Sequence, residues 1–381
     1  MAGGGGAPEP GAGEGGPPGP ARRAPSRASR LGPLLLGAVA LLVCGSMAAA
    51  AIAWLRQPGY IRNGNYQRDP VTGHARSPNW SKTWDWPEHP RGKIEFRTNN
   101  LGLREDTDTS VEKPPGVRRI LVTGDSHTEG SVYNPESWAN RLEALLEAQA
   151  VPGVGYEVLN AASGHFAAQR YLAVFEKFER LRPDAFVVGF YTGNDFLEAI
   201  AFAEKEGLLE TPPRPEGYDE IERFKESDGS LYQAIGQAVN QLHFFHAFPQ
   251  LEQTALELTE AAFREIHARA RAAGVEFAVV LIPTKLDVEW ETDAERNEAM
   301  KQGLHLGDAD LAVNRELSAA LARWLDAEGI PWVDVTEPMR AVPGPYYWMQ
   351  DYHLNVAGQD LVAREVFARL GPRLAAASAT W

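Results

Sequence analysis

The stretch Arg119-Ile-Leu-Val-Thr-Gly124-Asp125-Ser126-His127-Thr-Glu-Gly130 decides the fold of this chain. Its apolar part, residues 120–122, predicts a buried strand that stops at Gly124. A short polar loop follows, and then a helix-compatible segment begins near Glu136. The pattern predicts a first strand that delivers Ser126 to the edge of a sheet, where its Oγ is exposed and the loop N–H groups converge on a possible anion. An ordinary turn after a strand is the alternative, because Gly, Asp and Ser also favour turns.

An alternation of strand-like and helix-like segments continues from this stretch. The strand-like runs lie at residues 119–123, 156–159, 185–190, 276–282 and 331–335. The helix-like patterns lie at residues 137–149, 167–181, 251–273, 309–328 and 356–370. The middle strands are continuously apolar, which is typical of parallel strands buried on both faces. The sequence therefore predicts an α/β domain over residues 116–375 with a mainly parallel five-stranded sheet, and the polar insertion 203–251 could cap its carboxyl edge.

Composition and charge exclude several classes of protein. With 381 residues, of which 44% are hydrophobic, the chain can build one large or two modest domains. The formal net charge of −14 disfavours attraction to a nucleic-acid backbone, so no nucleic-acid partner is expected. Cys44 is the single cysteine, which excludes disulfides within the chain and zinc sites built from several cysteines.

The N-terminal part of the chain predicts a membrane anchor. Residues 1–30 are rich in Gly, Pro and Ala and end in arginines, which predicts a disordered cytoplasmic tail. Residues 31–55 carry no charge and are long enough for a transmembrane helix, which needs about 20 apolar residues. Only Arg56 follows directly, so the positive-inside rule predicts that the rest of the chain is extracytoplasmic, in a bacterial periplasm or at the cell surface.

Two alternatives compete with a retained anchor. The small residues at 47–51 could be a signal-peptidase site, which would make the protein secreted, although the apolar segment is longer than that of a usual signal peptide. Cys44 could carry a lipid, but Val43 stands where a lipoprotein signal normally has a small residue.

Residues 56–115 form a polar extension rich in Trp and Pro, with no sustained period of either helix or strand. Aromatic residues in such a segment, here Trp80, Trp84 and Trp86, could stack against sugar rings. The simpler interpretation is that they pack an irregular extension against the main domain.

Polar residues or glycines follow the first three predicted strands and precede the last helix. They are Ser126, the segment Asn160-Ala-Ala-Ser-Gly164-His165, the segment Tyr191-Thr-Gly193-Asn194-Asp195, and the segment Gln350-Asp351-Tyr352-His353-Leu354-Asn355. Together they supply what acyl transfer requires, namely a hydroxyl nucleophile, an imidazole base, a carboxylate that orients it and oxyanion donors.

These four blocks, in this order, resemble the SGNH (GDSL-like) serine esterases and acyltransferases over about residues 96 to 372. The resemblance implies a three-layer α/β/α, flavodoxin-like fold, in which Ser126 attacks the acyl carbon and His353 removes its proton. It implies that Asp351 orients the imidazole, and that the N–H groups of Ser126 and Gly164 and the side-chain amide of Asn194 bind the oxyanion. No cofactor or metal is implied.

Two details of the blocks differ from the commonest family pattern. Thr192 begins the third block, Thr-Gly-Asn-Asp, and Asp351 and His353 are only two residues apart. The short spacing is similar to that of exported SGNH proteins that include polysaccharide O-acetyltransferases related to alginate acetylation. The segments 98–104 and 281–285 also resemble that branch. Asp334, at the end of the fifth strand, is the alternative orienting carboxylate.

Other polar residues near these blocks receive different interpretations. Asp125 and Asp195 are expected to hold loops by accepting backbone N–H bonds. His127 is not expected to be the base, because adjacent side chains on a turn diverge. His165 could line the site, and the aromatic segment 346–348 could line the pocket or belong to the edge of the core.

No feature of the sequence supports a cofactor. His243 and His246 share a helix face, as a metal pair would, but no third ligand is evident and aromatic neighbours favour packing. The chain contains no Walker loop, and no Gly-x-Gly-x-x-Gly segment follows a predicted strand.

The sequence thus predicts a membrane-anchored serine esterase or O-acyltransferase that forms an acyl-serine intermediate. An acyl ester of cell-envelope carbohydrate is the expected substrate, so polysaccharide is a possible partner. A lipid esterase, or a catalytically silent module that binds polysaccharide or acts as a scaffold, is the alternative.

Overall fold

The computed structural model describes residues 65–227 and 229–376. Its strands, in chain order, are β1 (Tyr66–Asp69), β2 (Gly73–Arg76), β3 (Ser81–Asp85), β4 (Lys93–Arg97), β5 (Val117–Gly124), β6 (Gly155–Asn160), β7 (Ala185–Tyr191), β8 (Glu276–Ile282) and β9 (Trp332–Asp334). Its α-helices are α1 (Ser126–Glu129), α2 (Trp138–Glu147), α3 (Ala168–Phe178), α4 (Asp195–Lys205), α5 (Tyr218–Ser227), α6 (Gly229–Ala247), α7 (Glu252–Ala272), α8 (Lys285–Val288), α9 (Ala294–Gly303), α10 (Asp308–Ala327), α11 (Thr336–Ala341) and α12 (Val356–Ala376).

Five parallel strands form the central sheet, in the order β6-β5-β7-β8-β9. The predicted α/β class and the parallel five-stranded sheet are confirmed, and every predicted strand overlaps an observed one. β5 lies between β6 and β7, and the chain reverses its direction of winding across the sheet at this strand. In open parallel sheets such a switch point places loops from two sides around one crevice. The loop after β5, which carries Ser126, lies at that crevice.

Helices cover both faces of the sheet, because side chains alternate along each strand. On β5, Leu121 packs into a core with α3, α4, α6, α7 and α10, whereas Ile120 and Val122 pack into a second core with α2 and α12. Burying a large apolar side chain contributes roughly 1.5–3 kcal/mol, so the two cores dominate the stabilisation of the sheet. The result is three layers, helix, sheet and helix.

The extension is more regular than the sequence predicted. It forms two antiparallel hairpins, β1 with β2 and β3 with β4. Trp80, Trp84 and Phe96 pack against one another, with ring centroids 5.8–5.9 Å apart. The expectation of an irregular segment was wrong because these strands have only four or five residues and many exposed positions, which leaves no detectable period.

The predicted insertion, residues 203–251, is largely helical. It includes α5 and α6, and buried apolar residues of α6, among them Ile235 and Val239, join the first core. Helix α6 contacts α10, α4 and α5. The insertion therefore packs on the helical layer, and Gln241 of α6 donates a hydrogen bond to the carbonyl of Thr192, directly after β7.

Within residues 65–227 and 229–376, no helix is both long and apolar enough to cross a bilayer. The predicted tail, residues 1–30, and the predicted transmembrane segment, residues 31–55, lie outside the described residues.

Candidate active site

The loop after β5 presents Ser126 at the carboxyl edge of the sheet. β5 ends at Gly124, where a Cβ atom would lie 2.5 Å from the carbonyl oxygen of Gly189 on β7, so no side chain fits. Asp125 then caps α1, because its Oδ1 accepts a hydrogen bond from the backbone N–H of His127 at 2.9 Å. Ser126 begins α1 and lines a cavity of about 520 Å³.

The segment before α12 brings His353 and Asp351 to Ser126. Nε2 of His353 lies 2.8 Å from the Oγ of Ser126, and Nδ1 lies 3.0 Å from Oδ2 of Asp351. The other carboxylate oxygen of Asp351 accepts the backbone N–H of His353 at 3.1 Å. Tyr352, between them, has a positive φ of 55°, and this turn lets one carboxylate hold both the backbone and the ring of His353. The spacing of two residues is therefore sufficient for an Asp–His pair.

The pKa of His353 is higher than that of a histidine in water. Burial disfavours the charged imidazolium, but the charge and hydrogen bond of Asp351 outweigh burial and raise the pKa of His353 above 6.5. The more distant Asp125 and Glu129 act in the same direction. The side chain is still 19% exposed, so it can exchange protons with a ligand in the cavity.

Two of the predicted oxyanion donors lie around the same cavity as Ser126. Gly164 follows β6, and a Cβ atom there would lie 3.8 Å from Cβ of Ser126 and 3.3 Å from Oη of Tyr66, so a side chain would fill the space beside the serine. Asn194 lies directly before α4 and also lines the cavity. Its Oδ1 is buried and has no hydrogen-bond partner among the described residues.

Asp125 and Asp195 hold loops, as the sequence predicted. Asp195 Oδ2 accepts hydrogen bonds from the backbone N–H of Tyr191 at 3.0 Å and from the hydroxyl of Tyr171 at 2.7 Å. Burial raises the pKa of Asp125 to about 7 and that of Asp195 well above its usual range. Both carboxyl groups are fully buried, which suits a structural role.

The remaining sequence candidates have distinct positions. Nε2 of His127 faces Gln237, not the serine hydroxyl, and His165 lines the cavity with an exposed ring 3.7 Å from Glu198. Asp334, the alternative orienting carboxylate, accepts the backbone N–H of its neighbour Thr336 at 2.7 Å. The carboxylate beside the ring of His353 is that of Asp351.

The aromatic segment 346–348 belongs to the core and its edge. All three side chains are buried. Trp348 donates its indole N–H to the carbonyl of Ser131 at 3.1 Å and lies against Trp86. None of the three lines the cavity that contains Ser126.

The extension supplies one wall of the cavity, which the sequence did not establish. Five of its residues on this wall are Tyr66, Arg76, Trp84, Trp86 and Phe96. Trp84 packs within the extension, as the simpler interpretation predicted, and both Trp84 and Trp86 line the cavity that contains Ser126, whereas contact with a sugar stays a prediction. In the sequence, only the aromatic character of these residues indicated that they could line a site.

A buried ion pair joins this wall to α1. Arg76 makes two hydrogen bonds with Glu129, one of them between Nη2 and Oε2 at 2.5 Å, and the side chains are only 8% and 5% exposed. The guanidinium also lies 3.9 Å from the ring centroid of Tyr66 and 4.4 Å from that of Phe96. Since the partners are 53 residues apart, no local pattern could have identified the pair.

The two histidines with helical spacing face different acidic residues. Nδ1 of His243 lies 3.2 Å from Glu222, whereas Nδ1 of His246 lies 3.0 Å from Asp310. His243 also stacks on Tyr218, with ring centroids 4.9 Å apart. In the part of the chain that the structure describes, no group of three or more His, Cys, Asp or Glu side chains is arranged to hold a metal ion.

Comparison with known proteins gives one family match. The model of the GDSL-like lipase/acylhydrolase family matches residues 122–361, which is more than half of the chain and includes Ser126, Gly164, Asn194, Asp351 and His353. Among curated proteins, none matches the sequence significantly.

Several solved structures are similar at low identity. A catalytic mutant of Axe2, an acetylxylan esterase from Geobacillus stearothermophilus, is 13% identical with a TM-score of 0.41, covering 67% of this chain and 94% of that one. A lipase/acylhydrolase from Enterococcus faecalis is 15% identical with a TM-score of 0.36, covering 67% and 96%. A two-domain esterase active on acetylated mannans is 15% identical with a TM-score of 0.34, covering 70% and 51%. Similarities at this level assign no substrate to the chain.

Proposed function

Since the chain belongs to the GDSL-like lipase/acylhydrolase family, we propose that it is a serine esterase or O-acyltransferase that works through an acyl-Ser126 intermediate. The observation that carries this proposal is the hydrogen-bonded series Asp351, His353 and Ser126, with contacts of 3.0 and 2.8 Å. A hydroxyl nucleophile, a base within reach of its proton and a carboxylate behind the base form the arrangement that activates serine in unrelated hydrolases.

The first half-reaction transfers the acyl group to the enzyme. Ser126 Oγ forms a bond to the acyl carbon while its proton moves to Nε2 of His353, and the carbonyl oxygen becomes an oxyanion. The N–H groups of Ser126 and Gly164 and the amide of Asn194 stabilise that oxyanion. The tetrahedral intermediate then breaks its bond to the alcohol oxygen, which takes the proton from His353 and leaves as an alcohol.

The second half-reaction uses the same residues in reverse. His353 removes a proton from an acceptor hydroxyl, and that oxygen forms a bond to the acyl carbon. The bond between the acyl carbon and Ser126 Oγ then breaks, and the serine oxygen takes the proton back from His353. Water as the acceptor makes the protein a hydrolase, and a sugar hydroxyl makes it a transferase. We propose carbohydrate as the acyl carrier or acceptor, because Trp84 and Trp86 line the cavity together with polar side chains.

We also propose where the protein is located and which branch of the family it belongs to. The uncharged segment 31–55 supports anchoring in a membrane with the catalytic residues outside the cytoplasm. The two-residue spacing of Asp351 and His353 and the segment 98–104 support a relationship with exported polysaccharide O-acetyltransferases.

The test uses the full-length protein in detergent with p-nitrophenyl acetate, with and without oligosaccharide acceptors. Ser126→Ala should remove serine-dependent turnover, a loss of at least about 10³-fold, whereas Ser110→Ala, at an exposed serine, should have no effect. Acetyl groups on the sugar, detected by mass spectrometry, would identify a transferase, and acetate alone would identify a hydrolase. Activity that survives Ser126→Ala would refute the nucleophile assignment. A folded protein that binds polysaccharide but is not labelled by a fluorophosphonate would instead be a binding module.

A further inference from the structure

Gln237, on helix α6 of the insertion, connects the loops that carry Ser126 and His353. Its Oε1 lies 3.2 Å from Nε2 of His127, the neighbour of Ser126. Its Nε2 donates a hydrogen bond to the backbone carbonyl of Asp351 and lies 3.1 Å from Nδ1 of His353. The side chain also lines the cavity.

The contacts determine the orientation of the Gln237 amide. A carbonyl oxygen only accepts, so the group facing the carbonyl of Asp351 must be the NH₂, and the Oε1 must face His127. His127 consequently carries its proton on Nε2 and donates it to Oε1. Burial lowers the pKa of His127 well below 6.5, which keeps this ring neutral.

His127 is itself held firmly. Its ring is fully buried and stacks on Tyr191, with centroids 3.6 Å apart and planes at 18°. Its backbone carbonyl accepts a hydrogen bond from the side chain of Gln359 on α12 at 2.9 Å, and its N–H is held by Asp125. Because the ring of His127 is held in place, a hydrogen bond from it to Gln237 also restricts the segment that carries Asp351 and His353.

The amide group of Gln237 leaves Asp351 as the acceptor for the Nδ1 proton of His353. Nδ1 of His353 has two neighbours at similar distances, the carboxylate of Asp351 at 3.0 Å and the NH₂ of Gln237 at 3.1 Å. The NH₂ group cannot accept a proton, so it offers no alternative to Asp351. With the Nδ1 proton directed to Asp351, the lone pair of Nε2 faces Ser126, as the base requires.

We propose that Gln237 is a positioning residue that fixes the Asp351–His353 segment against the buried His127. This inference rests on the proposed acyl-serine reaction. It makes α6 of the insertion part of the catalytic arrangement, although Gln237 itself need not contact the reacting atoms. Displacement of α6 would then change turnover without any change in the three residues that carry the chemistry.

The test compares two variants. Gln237→Met keeps the length of the side chain but removes its hydrogen bonds with His127 and with the carbonyl of Asp351. Gln237→Glu keeps the acceptor for His127 and places a second acceptor beside Nδ1 of His353. In the full-length protein, both should lower kcat for p-nitrophenyl acetate by about 10–100-fold, because a displaced base is costly even when substrate binding is retained. KM should change little. Asn240→Ala, at an exposed position of the same helix, is the control and should match the wild type.

A spectroscopic measurement separates positioning from general loss of structure. A proton held between Nδ1 of His353 and Asp351 gives a downfield ¹H NMR signal, which His353→Ala assigns. The signal should weaken or broaden in both Gln237 variants while the thermal unfolding midpoint stays close to that of Asn240→Ala. Wild-type kcat and an unchanged signal in either folded variant would overturn the role of Gln237, even with Ser126→Ala inactive. If Ser126→Ala were itself active, the proposed reaction would fail first.

Discussion

The base of the proposed reaction must be neutral, so the protonation of His353 controls activity. Burial opposes its charge, Asp351 favours it, and the balance raises the pKa above 6.5. We therefore expect the acidic limb of the profile of kcat/KM against pH to lie above pH 6.5, with activity increasing as His353 loses its proton. A profile measured with p-nitrophenyl acetate between pH 5 and about 9 tests this directly. A profile without an acidic limb in this range would contradict the assignment of His353 as the base.

Removal of the Asp351 charge should shift the acidic limb of the profile of kcat/KM against pH. In Asp351→Asn, burial is opposed less strongly, so the pKa of His353 should fall and the acidic limb should shift to lower pH. Turnover should also fall, by about 10²–10⁴-fold, because the ring loses its orientation and the stabilisation of its charge. Asp334→Asn is the matched control, since Asp334 bonds to Thr336 and not to His353. An effect in Asp334→Asn alone would favour the alternative carboxylate.

At the scale of elements, the sheet and its helices were predictable and the hairpins were not. β7 and β8 are continuously apolar runs, and α2, α3, α7, α10 and α12 have apolar positions at helical spacing, so local patterns specify them. The strands β1 to β4 have only four or five residues and many exposed positions, so they leave no clear period in the sequence. Ser126 and His353 could be predicted because each belongs to a recognisable block. Arg76 and Gln237 could not, because tertiary packing alone brings them to the cavity.

The hairpin of β3 and β4 yields a prediction about substrate selection. If Trp84 and Trp86 contact a sugar ring, Trp84→Ala and Trp86→Ala should each raise KM for an acetylated oligosaccharide by about 2–12-fold, which corresponds to the loss of one aromatic contact of roughly 0.5–1.5 kcal/mol. KM for p-nitrophenyl acetate, which has no sugar, should change less. Trp324→Ala, on α10, controls for loss of a tryptophan elsewhere. Equal changes for both substrates would indicate that the tryptophans only support the fold.

On the scale of the whole molecule, three separate parts of the chain meet at one cavity. The loops of the sheet provide Ser126 and His353, the extension provides an aromatic wall, and the insertion provides Gln237. Residues of the extension and of the sheet belong to the same compact unit. The shape of the cavity thus depends on the packing of segments that flank or interrupt the α/β core, and the buried ion pair of Arg76 and Glu129 joins the extension to α1.

That ion pair should contribute to stability in a non-additive way. Arg76 and Glu129 are nearly buried, so removal of one leaves the other charge without its partner, which costs about 3–5 kcal/mol in comparable sites. We expect Arg76→Met and Glu129→Leu each to lower the free energy of unfolding by such an amount. The double variant should lose clearly less than the sum, because no charge is left unpaired. Urea unfolding of the four proteins measures this coupling, and additive losses would show that the pair does not hold the extension to α1. A loss of activity in the single variants that exceeds their unfolded fraction would further indicate that the contact also shapes the cavity beside Ser126.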